Sequence, residues 1–321
     1  MSEGAPRRRL GVITNPLSRS LRAGRYGLRA AEIGAVQAAP ASLDELRSIL
    51  AGFAADGVDL LVVQGGDGTL REVLTALPGT FGAHPPEIAV LSAGKTNLAA
   101  RSLGSAGSDQ AALQRLRDAA ARGSLRRHRQ PVLEVTRLGA AEVSAPLRGL
   151  LFGAGAVTEA TRMAERRLHR SGIRDGLAVA LAIAGVALRA VRPGSHPLRD
   201  GVPTAVAPDG MPPETGHSFL VLATPLDRLM LGLWPFWDVG QGPVRWLDVA
   251  APPRRLMAAL WAARSGRPRR PWMPAAGYRS GRAHRVTIRL AAPFVLDGEI
   301  FMPGTEGVEL SAPGCVTFVA P

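Results

Sequence analysis

A single cysteine, Cys315, stands in the 321 residues. One thiol excludes an internal disulfide and a cysteine-based zinc site, and it points to a reducing, cytoplasmic location. Long apolar runs are missing as well. The longest, Leu177 to Leu188, falls well short of the ~20 residues a bilayer span needs. The polar start, Met1 to Arg9, lacks the pattern of a signal peptide. Aromatics make up 5% of the chain and its basic residues are scattered, so no stacking platform for single strands is evident and no nucleic-acid partner is expected. The six histidines show no metal-ligand spacing, and no Ser-His-Asp ordering supports hydrolysis. Acidic residues are in deficit. With 39 Lys and Arg against 26 Asp and Glu the net charge is +13, a surface that attracts anions such as nucleotides and acidic lipid headgroups.

What is present divides into two textures. A chain of this length exceeds the usual single core, so two domains are expected, at 1–129 and 130–321. In the first, Leu10 to Thr14 is a β-prone run stopped by Asn15-Pro16. Leu43 to Ala55 has helical spacing with Ser42 as N-cap. Asp59 to Gln64 is apolar on both faces, as a buried parallel strand is. Leu70 to Leu77 restarts the helical period, Ile88 to Leu91 is another strand, and a loop at Ser92 to Thr96 leads to a helix ending near Leu103. Gln110 to Arg122 is a further helix. This alternation predicts an α/β domain with an open, mostly parallel sheet, whose ligands bind beyond the carboxyl ends of the strands. After Arg129 short β-prone runs follow one another: Pro131 to Arg137, Leu147 to Phe152, Ser218 to Thr224, Val244 to Val249, Arg285 to Leu290 and Val316 to Val319. They predict a mainly antiparallel β-sandwich, interrupted by a helix over Glu159 to Val191.

The chemistry concentrates where the Asp59–Gln64 run meets Gly65-Gly66-Asp67-Gly68-Thr69. Paired glycines after a strand permit positive φ and a close backbone approach to a bulky ligand. The helix opening near Thr69 offers N–H groups and a positive dipole end to phosphate. Asp67, between glycines, can reach a metal or a hydroxyl proton, and Glu72 lies one turn further on. The alternative is an ordinary Gly-rich turn with Asp67 as a cap.

Gly65 to Thr69 resembles the signature shared by diacylglycerol, sphingosine and ceramide kinase catalytic domains and by NAD kinases. Three other segments resemble the lipid kinases in order: Thr14-Asn15-Pro16-Leu17-Ser18, Leu91 to Gly104 with Asn97, Ala100 and Arg101, and Asp297-Gly298-Glu299. The resemblance implies two domains with the active site in a cleft between them, and use of ATP and Mg2+. It implies that Asn15, Pro16, Gly65, Gly66, Gly68, Thr69, Gly94, Lys95 and Asn97 surround the nucleotide and that Glu72 supports that end. It assigns Asp67 to the magnesium-nucleotide or to deprotonation, and brings Asp297 and Glu299 from the second domain. The general base is then Asp67 or Glu299. A weaker match over Gly155 to Leu168 places Glu159 at the acceptor's polar head and Arg166 at phosphate.

Two positions depart from the pattern. Lys95 replaces the usual Thr or Ser and is the only lysine of the chain, a compact charge suited to phosphate. Leu98 replaces an Asp that often follows Asn97 in bacterial diacylglycerol kinases, which removes a carboxylate from their magnesium network. Ala89 to Thr96 also approaches a P-loop, but Ala89 replaces its first Gly and Ile88 to Leu91 reads as strand.

The implied acceptor is a lipid hydroxyl at the inner face of a membrane, with the enzyme held there peripherally, and a homodimer is compatible. Leu177 to Leu188 and the Met230 to Trp237 stretch are candidates for an acyl-chain pocket. The Trp234-Pro235-Phe236-Trp237 segment is alternatively a bilayer-dipping loop helped by Arg264, Arg267, Arg269 and Arg270, or simply core. Two other functions remain open at this point: an NAD kinase-like phosphotransferase, and a catalytically weak nucleotide- or lipid-binding regulator.

Overall fold

Runs that are apolar on both faces need cover on both faces, and the first sheet shows this. In the computed structural model β1 (Leu10–Thr14) and β3 (Leu60–Gly65) are buried along their whole length. The structure describes residues 8–15, 28–82, 84–92, 105–140, 145–168, 185, 197–229, 232–266 and 269–321, without the side chains of 165–168 and 197. β1 pairs in parallel with β2 (Val36–Ala38) and with β3, and β3 pairs in parallel with β4 (Glu87–Ser92).

The helices form where the sequence caps them. In α1 (Leu43–Ala55) Ser42 Oγ accepts the Glu45 N–H at 3.1 Å, and Glu45 reaches back to the Ala41 N–H at 2.7 Å, a reciprocal arrangement that satisfies two donors at the helix start. α2 (Asp67–Ala76) follows β3. Asp109 caps α3 (Gln110–Ala121) by accepting the Ala112 N–H at 2.8 Å. Leu113 and Leu116 of α3 share a core with Leu10, Val12, Leu60 and Val62. On the other sheet face a Cβ at Gly11 would lie 2.7 Å from Phe53 of α1, so that helix packs directly on bare backbone. The α/β expectation with a mainly parallel sheet holds.

The chain falls into two compact units, Met1–Gln130 with Cys315–Pro321, and Pro131–Gly314. The second is antiparallel. Its strands are the later part of β5 (Arg126–Leu138), β6 (Leu147–Gly149), β7 (Phe152–Gly155), β8 (Val202–Pro208), β9 (Glu214–Thr224), β10 (Val244–Ala250), β11 (Tyr278–Ala283), β12 (Arg285–Arg289), β13 (Phe294–Leu296), β14 (Glu299–Phe301) and the first part of β15 (Gly307–Ala320). β9 pairs with β8 and β7 along one edge and with β10 along the other. β12 pairs with β8 and β15, and the β13–β14 hairpin joins β7.

One face of these strands gathers Phe152, Phe294, Val221 and Ile288, with Phe152 and Phe294 stacked at 5.2 Å between centroids. The other face packs Phe219, Leu247 and Val249 against α4 (Ala156–Leu168) and α5 (Leu256–Arg264). The expected helix from Glu159 to Val191 is described only as far as Leu168, apart from a helical residue 185. Leu147 to Phe152, expected as one strand, is two, broken at Leu150-Leu151. No helix among the described residues is long and apolar enough to cross a membrane.

Candidate active site

The carboxyl ends of β1, β3 and β4 carry the loops singled out in the sequence. β3 ends at Gly65, and Gly66 is the extended N-cap of α2, with φ −96° and ψ −172°. The cap is backbone alone, since Gly66 contributes no side chain. Leu70 N–H donates to Gly66 O at 3.1 Å, so the turn before it faces outward as a helix N-terminus. Asp67 is the first residue of that helix and is partly exposed.

Why glycine stands at 65 is a matter of space. A Cβ there would sit 2.5 Å from both Cβ and Oγ1 of Thr69. Thr69 is 7% exposed, and its Oγ1 accepts the Asn15 side-chain amide at 3.0 Å. Asn15 N–H in turn donates to Gln64 O at 3.2 Å. The end of β1 is therefore stitched to the β3–α2 turn through Asn15 and Thr69, and Gly65 leaves room for the stitch. Sequence reading had both residues near phosphate but not the contact between them.

Residues 93–104 lie outside the described residues, and so Gly94, Lys95, Asn97 and Leu98 do too; the same holds for Pro16 and the Arg166 side chain. The two ends of the 93–104 segment are held together. Ser92 Oγ and Ser105 Oγ are 2.9 Å apart, and Ser92 N–H donates to Gly107 O at 2.8 Å. Gly107, at φ 117°, could not carry a Cβ without meeting Ala112 at 2.5 Å. Ser92 and Ser105 to Gly107 therefore meet at the carboxyl end of β4, and the serine pair that joins them was missed by the sequence reading. Glu72 is half exposed and pairs at 3.6 Å with Arg71, which is buried.

In the second unit Asp297 and Gly298 form the two-residue turn between β13 and β14, with φ of 50° and 88°. Both values are left-handed, the conformation that matches the twist of a tight hairpin and that Asp-Gly tolerates best. The Asp297 carboxylate accepts the N–H groups of Leu150 and Leu151, at 3.0 and 2.8 Å. Its own N–H donates to Leu151 O at 3.0 Å. These bonds hold open the break between β6 and β7, and a Cβ at Gly149 would run into the same carboxylate at 2.5 Å. Glu299 follows at the first position of β14, opposite Leu296, and is half-buried. Glu159 lies in the first turn of α4, half-buried, and the neighbouring Thr158 hydroxyl donates to Pro293 O at 3.1 Å.

The Trp234–Trp237 segment belongs to a core. Phe236 is 1% exposed and Trp237 8%, both packed with Phe219 and Leu247, so neither is available to a bilayer. Leu177 to Leu188 is outside the described residues except residue 185.

The family model of the diacylglycerol kinase catalytic domain matches residues 10–124. No curated protein matches the chain in sequence. Among solved structures, a diacylglycerol kinase of Bacillus anthracis str. Sterne is similar at a TM-score of 0.56 and 14% identity, covering 99% of this chain and 97% of that one. A second protein of that organism, named only provisionally as a diacylglycerol kinase, gives 0.64 at 15%, with 99% and 98% covered. Yeast NADH kinase complexed with NADH gives 0.50 at 12%, with 99% and 84% covered. At these identities the structural likeness is one of fold. The segment that holds Asn15, the Gly65–Thr69 turn and the Ser92–Ser105 anchor thus lies wholly within the stretch that matches the diacylglycerol kinase catalytic domain.

Proposed function

We propose that the protein is a lipid kinase that transfers the terminal phosphate of ATP to a hydroxyl of a diacylglycerol, ceramide or sphingoid lipid. The observation that carries this reading is the Asn15–Thr69 bond over Gly65, which presents Asp67 and the opening of α2 beside the carboxyl end of β1. Backbone N–H groups at that opening suit phosphate oxygens, and Lys95 and Arg101 are the cations of the segment 93–104.

Phosphoryl transfer asks for positioning and charge neutralisation more than for covalent help. A magnesium ion bound with the phosphates would supply part of that neutralisation. Among the described residues no three His, Cys, Asp or Glu side chains converge on one point, and residues 16–27 and 93–104 contain no acid. Asp67, at the start of α2, is accordingly the carboxylate suited to a cation already bound by phosphate. The acceptor hydroxyl gives its proton to a carboxylate, Asp67 or Glu299, as its oxygen bonds to the terminal phosphorus and the bond to the leaving diphosphate breaks. Asp297, engaged by two backbone amides, is assigned to positioning Glu299 on the hairpin. Glu159 is assigned to the acceptor's polar head.

The fold likeness to NADH kinase favours a second reading, phosphate transfer to a nicotinamide dinucleotide. Labelled ATP offered with diacylglycerol, ceramide, sphingosine and NAD separates the two. Label in a lipid is the expected result. Label in NAD, or in no acceptor, overturns the proposal.

A further inference from the structure

We propose that α5 and the arginines around it form a docking face for an anionic phospholipid surface. The helix buries Leu256, Ala262 and Ala263 and turns Met257 and Trp261 outward, 59% and 67% exposed. These two are four residues apart and so lie on one helical stripe. A large exposed Trp beside an exposed Met is costly in water and suits the boundary between headgroups and acyl chains.

Along the sequence on both sides of the stripe the charge has one sign. From Val249 to Leu296 the sequence contains no Asp or Glu, while Arg254, Arg255, Arg264, Arg267, Arg269 and Arg270 fall within it. Arg254, Arg255, Arg264 and Arg269 are exposed, and Arg270 lies over the Trp261 ring at 5.7 Å. Several other arginines of the described residues are ion-paired, Arg148 with Glu134 and Arg285 with Glu309 among them. No carboxylate among the described residues pairs with Arg254, Arg255, Arg264, Arg269 or Arg270.

Complementarity selects the occupant. A second copy of this face would set arginines against arginines, since a two-fold interface repeats the same patch on both sides. A nucleic-acid backbone would satisfy the arginines but offers no apolar medium for Met257 and Trp261. An anionic bilayer satisfies both. The inference is independent of the kinase reading, because binding is measured without nucleotide or turnover.

The test is co-sedimentation of the full chain with vesicles of phosphatidylcholine, alone or mixed with phosphatidylglycerol. Binding is expected only to the mixed vesicles and should weaken with added salt. Met257→Ser with Trp261→Ser should reduce it by about tenfold or more, by removing two inserted side chains, with the circular dichroism spectrum unchanged. Arg264→Gln and Arg269→Gln should each reduce it about fivefold. The proposal is overturned by equal binding to both vesicle types or by a double variant that binds as the parent does. It is also overturned if the face instead holds together a dimer, or retains duplex DNA, in a way that Trp261→Ser abolishes.

Discussion

Three residues carry separable roles, and substitution distinguishes them. Asp67→Asn keeps the size of the side chain and removes its charge, so turnover should fall by 100-fold or more, on the order of what a general base or a charge-stabilising group contributes, while the melting temperature stays put. Near-normal turnover would move the chemistry to Glu299. Gly65→Ala acts by volume. Its Cβ would meet Thr69 at 2.5 Å, so Thr69 must move and the Asn15 bond must stretch. A loss of about 1–3 kcal/mol of stability is expected, with weaker nucleotide binding measured by calorimetry. Asp297→Asn is the contrasting case. An amide has one acceptor where the carboxylate has two, so the Leu150 and Leu151 N–H groups lose a charged partner, worth about 1.5–3 kcal/mol. Asn tolerates φ 50° as Asp does, so strain does not confuse the result. If Asp297 only positions the hairpin, kcat and the melting temperature should fall together. A large drop in kcat at unchanged stability would return it to the chemistry.

Element by element, legibility followed locality. Ser42 and the buried run at Leu60–Gly65 announced themselves because a cap or a double-sided strand is encoded within a few residues. The motifs around Asn15 and Gly65 were legible for the same reason, while the Asn15–Thr69 contact spans 54 positions and left no local trace. The missed elements are those whose burial is decided by partners. β8 contains Pro203 and Pro208, which argue against a strand, yet both prolines stand in register with a partner, Pro203 opposite His217 of β9 and Pro208 opposite Val286 of β12. β11 reads Tyr-Arg-Ser-Gly-Arg-Ala, too polar to suggest a strand, and is formed by pairing with β10.

That same strand yields a pH prediction. Tyr278 is 4% exposed and donates its hydroxyl hydrogen bond to Arg254 O at 2.8 Å. Burial pushes its phenol up to about 12. The folded state therefore holds this proton more tightly than the unfolded chain, whose phenol titrates near 10. Stability from this group is unchanged below pH ~10 and falls as the pH rises from about 10 to about 12, by roughly 2–3 kcal/mol in all. Tyr278→Phe removes that alkaline limb, at a cost near neutrality of about 1 kcal/mol for the lost hydrogen bond. Denaturant titrations of both proteins across this range check it, and parallel pH profiles would refute the assignment.

Across the whole molecule the least legible fact is that the chain returns. Val316 to Val319 reads correctly as strand, but periodicity names a face and never a partner. β15 pairs with β12 through Val308 and Leu310 in the second unit, then continues until Phe318 pairs in parallel with Ile88 of β4. Cys315–Pro321 thereby belongs to the unit that carries the Gly65–Thr69 turn, although some two hundred residues intervene. Phe318 is 2% exposed, so Phe318→Ala should cost about 3–5 kcal/mol through lost burial and the cavity left behind. Stability is local, and the cost should fall on the unit that loses the contact. Amide hydrogen exchange reads this directly: peptides over residues 60–65 and 87–92 should exchange faster in the variant, while those over 218–224 and 244–250 keep their protection. Equal acceleration in both sets would mean that β15 couples the units into one cooperative fold. No acceleration in the first set would mean that β4 does not depend on the returning strand. The first pattern would place the stability of the Gly65–Thr69 turn under the control of β15.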